Sequence, residues 1–299
     1  MIDVDIKALL LAFIVLFSLL FLFKFYQSLK HNPRSVTPTL HSLSIGCVSN
    51  FFDTLGIGSF PTSTSYLRLR RLIDDQLIPS TLNIGHAPAA ITEALIFITL
   101  VPVSPLLLVS TTLSTAVGSF LGSGIVLRLP KRPLQIVLGV ASLIAAVLFI
   151  LVNLHLMPGG GNAYRLSTVP FLLANVTVMT LGALMAAGVG FFGPCLIVLS
   201  LLGLHPLAIF PIMMSAGAVQ QLTSGWRYLD QQHYDPQLTT GLALGGVAGV
   251  LLAAFLVKSL AVDALRWLVA AVALIVAVDF LLSAFKTVPH RAPNASQPH

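Results

Sequence analysis

Charge is what this chain has least of. Only 9% of its 299 residues are Asp, Glu, Lys or Arg, against roughly 25% in an ordinary soluble domain. In contrast, 56% are hydrophobic and the mean hydropathy is +0.94. So few polar side chains cannot cover a globule of this size, which excludes a soluble enzyme and leaves a polytopic membrane protein. Cysteine is almost as scarce. Cys47 and Cys195 stand far apart in apolar surroundings, form no CxxC, and read as small buried hydrophobes rather than as a disulfide or a zinc site. No GxxxxGK[ST] occurs, so the chain has no P-loop with which to drive primary pumping. Acidic residues number ten against sixteen basic ones. The basic ones sit between apolar runs, where they act as topology signals rather than as a nucleic-acid surface. Two acidic pairs, Asp74 with Asp75 and Asp230 with Asp235, read as solvated loop charges.

Apolar runs are what the chain does have. A membrane-crossing helix needs about 20 apolar residues, and seven segments supply them: 8–27, 79–103, 106–128, 133–152, 206–226, 237–257 and 263–285. The first lacks a basic leader and a small-residue cleavage site, and its positive charges follow it. It therefore reads as a retained span within 1–34, not a signal peptide. Two further stretches, 40–66 and 168–204, are interrupted, the first by Asn50, Asp53, Gly56, Gly58 and Pro61, the second by Gly188, Gly190, Gly193 and Pro194. Broken backbone at membrane depth survives only where protein or a water-filled cavity lines it, so both are expected to be re-entrant or discontinuous helices. If each returns to the side it entered, Lys24, Lys30, Arg34, Arg68, Arg70, Arg71, Arg128, Lys131, Arg132, Arg227, Lys286 and Arg291 fall inside. Lys7, Arg165, Lys258 and Arg266 fall outside. The positive-inside rule favours that arrangement, with the N-terminus outside and the polar tail 286–299 in the cytoplasm.

This organisation contains a repeat. Each half is one broken segment followed by three full spans, 40–152 and 168–285, joined by a glycine-rich loop at 153–167. Gly56-Ile57-Gly58 then Pro61 recurs as Gly188-Val189-Gly190 then Pro194, and Pro79 opens the following helix as Pro206 does in the second half. Three spans separate the breaks, so the halves are inverted. The expected fold is thus all-α and polytopic, with seven full transmembrane helices, two broken segments and two inverted repeats. Paired broken segments in inverted repeats point to a secondary transporter with its site near the midplane.

The stretch Asn50-Phe51-Phe52-Asp53-Thr54-Leu55-Gly56-Ile57-Gly58-Ser59-Phe60, together with Ile78-Pro79-Ser80-Thr81-Leu82-Asn83-Ile84-Gly85-His86 and Ala187-Gly188-Val189-Gly190-Phe191-Phe192-Gly193-Pro194, resembles the TauE/SafE family of sulfite exporters. The resemblance covers most of residues 40–285. The usual glycine run of the family is longer, and Ser59-Phe60 and Phe191-Phe192 stand in place of its later glycines. The resemblance implies a multi-spanning inner (plasma) membrane protein of two homologous halves. It also implies export or uptake of sulfite, sulfonates or related organosulfur anions, with no enzymatic activity.

Site candidates follow from helix chemistry. Each restart after a GxG exposes unpaired backbone N–H groups and about half a positive charge. Two such ends facing each other would bind an oxyanion with no buried Lys or Arg. Asn50, Thr54, Gly56, Gly58, Ser59, Thr62, Gly188, Gly190 and Gly193 surround those restarts and are candidate substrate-binding residues. Asn83, on the helical face of Glu93, joins them, as do Gln220 and Gln221, which alignment of Pro206 with Pro79 puts at the depth of Glu93. The opposing reading of the glycines is tight helix packing. Asn83, His86 and Glu93 share a helical face by spacing. Glu93 lies about 21 Å into its span at 1.5 Å per residue, where a carboxyl needs a partner or a cavity. Glu93, with His86 as relay and Asp53 at the hairpin tip, forms the candidate proton-coupling set, while Asp53 has a local capping role as its alternative. Cys195, next to Pro194, is a weaker candidate contact for a sulfur substrate. No cofactor and no metal site is expected. The expected partners are a small anion, the bilayer and a proton or cation co-substrate, with the oligomeric state open. Competing functions are transport of an unrelated small anion or metabolite, a channel or non-transporting scaffold, and an intramembrane enzyme built on Ser59 and His86.

Overall fold

The computed structural model describes residues 2–285 apart from 33–34, 56, 101–102, 157–160 and 257–262. Gly56, Arg34, Lys258, the 158–160 part of the loop between the halves, and the tail 286–299 with Lys286 and Arg291 lie outside the described residues. The elements are helices throughout: α1 (Ile2–Lys30), α2 (Leu40–Thr54), α3 (Ser59–Leu69), a 3-10 turn (Asp75–Leu77), α4 (Ile78–Gly85), α5 (Ala87–Leu100), α6 (Pro105–Val126), α7 (Lys131–Asn153), α8 (Thr168–Ala186), α9 (Phe192–Leu201), α10 (Pro206–Asp230), α11 (Pro236–Leu256) and α12 (Asp263–Phe285). Among the described residues, six stretches are long and apolar enough to cross a bilayer: Ile6–Lys30, Asp75–Thr99, Pro105–Val126, Lys131–Asn153, Thr168–Ala186 and Pro236–Phe255. Their outer faces expose large apolar side chains such as Leu9, Phe23, Leu121 and Phe255, which only lipid can cover. The chain is a multi-pass helical membrane protein.

Both expected breaks are present. α2 stops at Thr54 and α3 restarts at Ser59, while α8 stops at Ala186 and α9 restarts at Phe192. Gly58 and Gly188 turn the chain with φ of +91° and +95°, a region that only glycine enters without strain. Pro61 and Pro194 each fall at the third position of the new helix, where an amide hydrogen has no intrahelical acceptor and is not missed. The two limbs of each broken segment finish beside one another. His41 hydrogen-bonds Tyr66 across the mouth of the first. Ala163 pairs with Leu204, and the Tyr164 and His205 rings stack at 5.1 Å, across the mouth of the second.

The expected single span at 79–103 is kinked. α4 ends at Gly85 and α5 begins at Ala87, with His86 between them. Pro88 is the cause, because it has no N–H to offer Ile84 and its ring crowds that carbonyl.

Close glycine contacts set the packing. Residues 114–122 of α6 run parallel to 175–183 of α8, with Gly118 against the Met179 carbonyl and Gly122 against that of Ala183. Residues 42–50 of α2 run parallel to 241–249 of α11, with Gly245 against the Leu43 carbonyl and Gly249 against that of Cys47. α7 meets α12 at Gly139 and Leu281, and α10 lies antiparallel along α4 and α5, where the Phe97 and Phe210 rings stack at 5.9 Å.

One end of the bundle is tied by charge. Arg68 of α3 gives Nη1 to Asp75, Nε to Asp279 of α12 at 2.7 Å and Nη2 to Ser283 at 2.7 Å, and Gln135 of α7 donates to Asp75 at 2.7 Å. The solvated-loop reading of Asp75 is thereby corrected, since it is 4% exposed. A carboxylate can be buried there because a guanidinium and an amide satisfy it. Asp230 pairs with Lys24, and Asp235 accepts the Leu238 N–H at 2.8 Å as an N-terminal cap of α11.

Candidate functional site

A cavity of about 100 Å³ lies where the two broken segments meet. The first contributes Gly58, Ser59, Phe60 and Pro61, and the second contributes Gly190, Phe191, Phe192, Gly193 and Pro194. Ala141, Ala145 and Leu148 of α7 form one wall, and Phe210 and Met213 of α10 another. The tips touch: a Cβ on Gly190 would stand 3.2 Å from the Pro61 ring. Neither Gly58 nor Phe191, the residues preceding α3 and α9, supplies a side-chain cap. Two helix N-termini of 11 and 10 residues therefore begin in the wall of one apolar chamber, each with first-turn amides that lack intrahelical partners. The chamber holds several waters' worth of space and is far below the roughly 300–1,000 Å³ of a pocket for a drug-sized ligand.

Behind the first restart lies a buried polar network. Ser59 Oγ donates to Asp53 Oδ2 at 2.6 Å, and Thr54 Oγ1 donates to Glu93 Oε1 at 2.8 Å. The Asp53 and Glu93 carboxyl groups are close enough to interact electrostatically. Asn50 Nδ2 donates to the Gly46 carbonyl at 2.8 Å and to His86 Nδ1 at 2.8 Å. The Gly46 carbonyl fixes which end of the amide is nitrogen, so His86 Nδ1 must accept and Nε2 must carry the hydrogen, donated to Ser63 Oγ at 2.9 Å. A serine nucleophile needs the opposite, an imidazole nitrogen free to take its proton. Ser59 itself is turned to Asp53 rather than to His86. The serine–histidine pairing of the enzyme reading is therefore absent at Ser59 and wrongly protonated at Ser63.

A second network serves the second break. α8 ends inside the protein, leaving its last carbonyls without helical partners. Asn83 Nδ2 donates to Ala186 O at 3.2 Å, and the Tyr228 hydroxyl donates to the same oxygen at 2.7 Å. Asn83 Oδ1 accepts in turn from Gln220 Nε2 at 3.0 Å and from Ser224 Oγ at 2.7 Å.

The structure thus divides the sequence candidates. Gly58, Ser59, Gly190 and Gly193 line the cavity. Gly188 lines a void of about 10 Å³ beside it, with Thr64. Asn50, Asp53, Thr54, His86 and Glu93 form the layer behind Ser59. Asn83, held by Gln220, caps α8 instead, so the shared face expected for Asn83, His86 and Glu93 is split by the kink. Thr62 returns its hydroxyl to Gly58 O and Ser59 O. Gln221 is buried, and its Oε1 has no hydrogen-bond partner among the described residues. Cys195 is fully buried and lies outside the cavity wall, whereas Cys47 is half-buried. Sequence reasoning missed the apolar wall, Phe60, Phe192, Phe210, Met213 and the α7 residues. The available signal was the pair of small residues Ala141 and Ala145, one turn apart on a helix facing the tips.

Fold and cavity together define a class, a multi-pass helical membrane protein with two interrupted helices meeting at a small apolar cavity. Among known families, the model described as sulfite exporter TauE/SafE matches residues 171–299, from the first turn of α8 onward. No curated protein and no solved structure matches the chain.

Proposed function

We propose that the whole chain is a TauE/SafE-type secondary transporter, moving a small oxyanion of the sulfite or sulfonate class by alternating access with a proton or cation as co-substrate. The observation that carries this reading is the convergence of two helix N-termini on one cavity of about 100 Å³. Backbone amides at such ends favour an anion without a buried Lys or Arg, and the volume suits a few-atom ligand. The family match over residues 171–299 supports the transporter class and the substrate class.

Reciprocal packing supports two inverted repeats, 40–152 and 168–285. An offset of 131 residues carries α6 onto α11, and one of 132 carries α2 onto α8. Those offsets turn Gly118 against Met179 into Gly249 against Cys47, and Gly182 against Thr115 into Asn50 against Gly246. All four contacts occur. The limbs meeting at His41 and Tyr66, and at Ala163 and Leu204, support re-entrant broken segments. The positive-inside count supports the N-terminus outside and the tail in the cytoplasm of an inner membrane.

The test is current recorded on supported membranes from proteoliposomes offered sulfite, sulfate, thiosulfate, taurine, sulfoacetate, methanesulfonate and chloride. A saturable response to a sulfur oxyanion or sulfonate, diminished by Gly190→Val, which narrows the cavity at Pro61, is the expected result. Silence across the panel from folded protein would overturn the reading.

A further inference from the structure

The anion site has an obstacle built into it. Ser59 lines the cavity, yet its hydroxyl is given to Asp53 Oδ2 at 2.6 Å, and Asp53 is 2% exposed. An ionised carboxylate there satisfies the positive end of α3 itself and repels an anion placed before it. α9 has no such neighbour: aligning the ends of α2 and α8 puts Met185 where α2 has Asp53, and aligning the starts of α3 and α9 puts Phe192 where Ser59 stands. One helix end is open to an anion, and the other is conditional.

We propose that Asp53 couples the two substrates through Ser59: a small monovalent cation, a proton or a sodium ion, binds at Asp53 and Asn50 and thereby releases the α3 N-terminus to the anion. This rests on the transport reading above and specifies its coupling step. Two oxygens point to the cation. Asp53 Oδ1 and Asn50 Oδ1, three residues apart on one face of α2, are buried and accept no hydrogen bond among the described residues. Both can only accept, so neither receives an anion, and a proton shared between them or a small cation satisfies the two at once.

Among the described residues, the surroundings supply no positive charge. Glu93 of α5 faces Asp53 and adds a second carboxyl. His86 reaches Asn50 only through Nδ1, an acceptor, and spends its Nε2 hydrogen on Ser63. α11, packed along α2, contains no titratable residue. In α3, Tyr66 and Arg68 lie two turns onward, held by His41 and by Asp75 and Asp279. With the cation bound, the Asp53 charge is cancelled and Ser59 can turn its hydroxyl to the cavity. Linkage then requires that the anion tighten the cation by the same factor.

The experiment measures anion affinity by thermal shift of purified protein, with the same panel, in choline or sodium buffer and across the neutral pH range. Methanesulfonate carries the pH arm because its own charge stays fixed there. Affinity should rise at least tenfold either on replacing choline by sodium or on acidification, and the arm that responds names the cation. Asp53→Asn should bind the anion tightly in every buffer and lose the dependence, whereas Ser59→Ala should weaken binding and keep it. Anion affinity equal in all buffers, or dependence retained in folded Asp53→Asn, overturns the coupling while leaving the transport reading intact. If Asp53→Asn fails to fold, the unsubstituted protein still decides: the responding cation must bind at least tenfold tighter with anion present, and failure to do so overturns the coupling. No anion binding in any buffer overturns the transport reading, and the coupling with it.

Discussion

His86 ties three elements together, taking a hydrogen bond from Asn50 of α2 and giving one to Ser63 of α3 from the junction of α4 and α5. Phenylalanine in its place would keep a ring beside Phe60, whose centroid is 5.7 Å away, and would remove both hydrogen bonds. A buried polar group left without its partner costs about 1–3 kcal/mol, and Asn50 already has one unpartnered oxygen. His86→Phe is therefore expected to lower the melting temperature of the solubilised protein. Because His86 does not line the cavity, the order of anion preference should be unchanged. A variant that melts like the parent but changes its anion preference would assign His86 to the substrate instead. His86 and Asn50 were both visible as unusual polar residues in apolar sequence. Their partnership was not, because it depends on a 36-residue separation in the chain being closed by the turn at Gly58.

At the scale of elements, glycine works chiefly by letting helices touch. A Cβ on Gly118 would stand 1.8 Å from the Met179 carbonyl oxygen, and one on Gly249 would stand 2.1 Å from that of Cys47. Neither backbone can yield without moving its helix. Gly118→Val and Gly249→Val should therefore destabilise the protein by similar amounts, about 1–3 kcal/mol or more for overpacking, if the two contacts are copies of one ancestral interface. Gly217 of α10 is the control. No heavy atom lies within 4 Å of its would-be Cβ, and Gly217→Ala should gain up to about 1 kcal/mol in helix propensity. Melting curves of the three variants decide the matter, and one damaging valine beside one harmless valine would count against the shared interface. The breaks at 55–58 and 187–191 were legible because Gly and Pro act on the backbone locally. The kink at His86 was equally local, signalled by Ala87-Pro88, but a long apolar run concealed it. The glycine pairs between α6 and α8 and between α2 and α11 were not legible, since sequence alone does not say which helices are neighbours.

Across the whole molecule, the cavity must open to one side and then the other if the alternating-access reading holds, and on that reading the Arg68 cluster is the candidate closure on one side. It joins the return limb of the first broken segment to α12 directly and to α7 through Asp75 and Gln135. Arg68 is 13% exposed and Asp75 is 5% exposed at the side chain, so removing either strands a buried charge, at about 3–5 kcal/mol. Such a variant would report on folding more than on gating. Asp279, 46% exposed, is the informative partner. Asp279→Asn weakens the hold on α12 and leaves the Arg68–Asp75 pair in place. With Cys47 and Cys195 replaced by alanine and one cysteine placed at Ala145 in the cavity wall, a membrane-impermeant thiol reagent reads access from each face. Applied to the face that carries Arg68, it should label the Asp279→Asn protein several-fold faster than its parent, and applied to the opposite face it should label no faster. Faster labelling from both faces would mean the bundle has loosened throughout, and unchanged labelling would mean that the barrier lies elsewhere, with Pro61 against Gly190 the next constriction to probe.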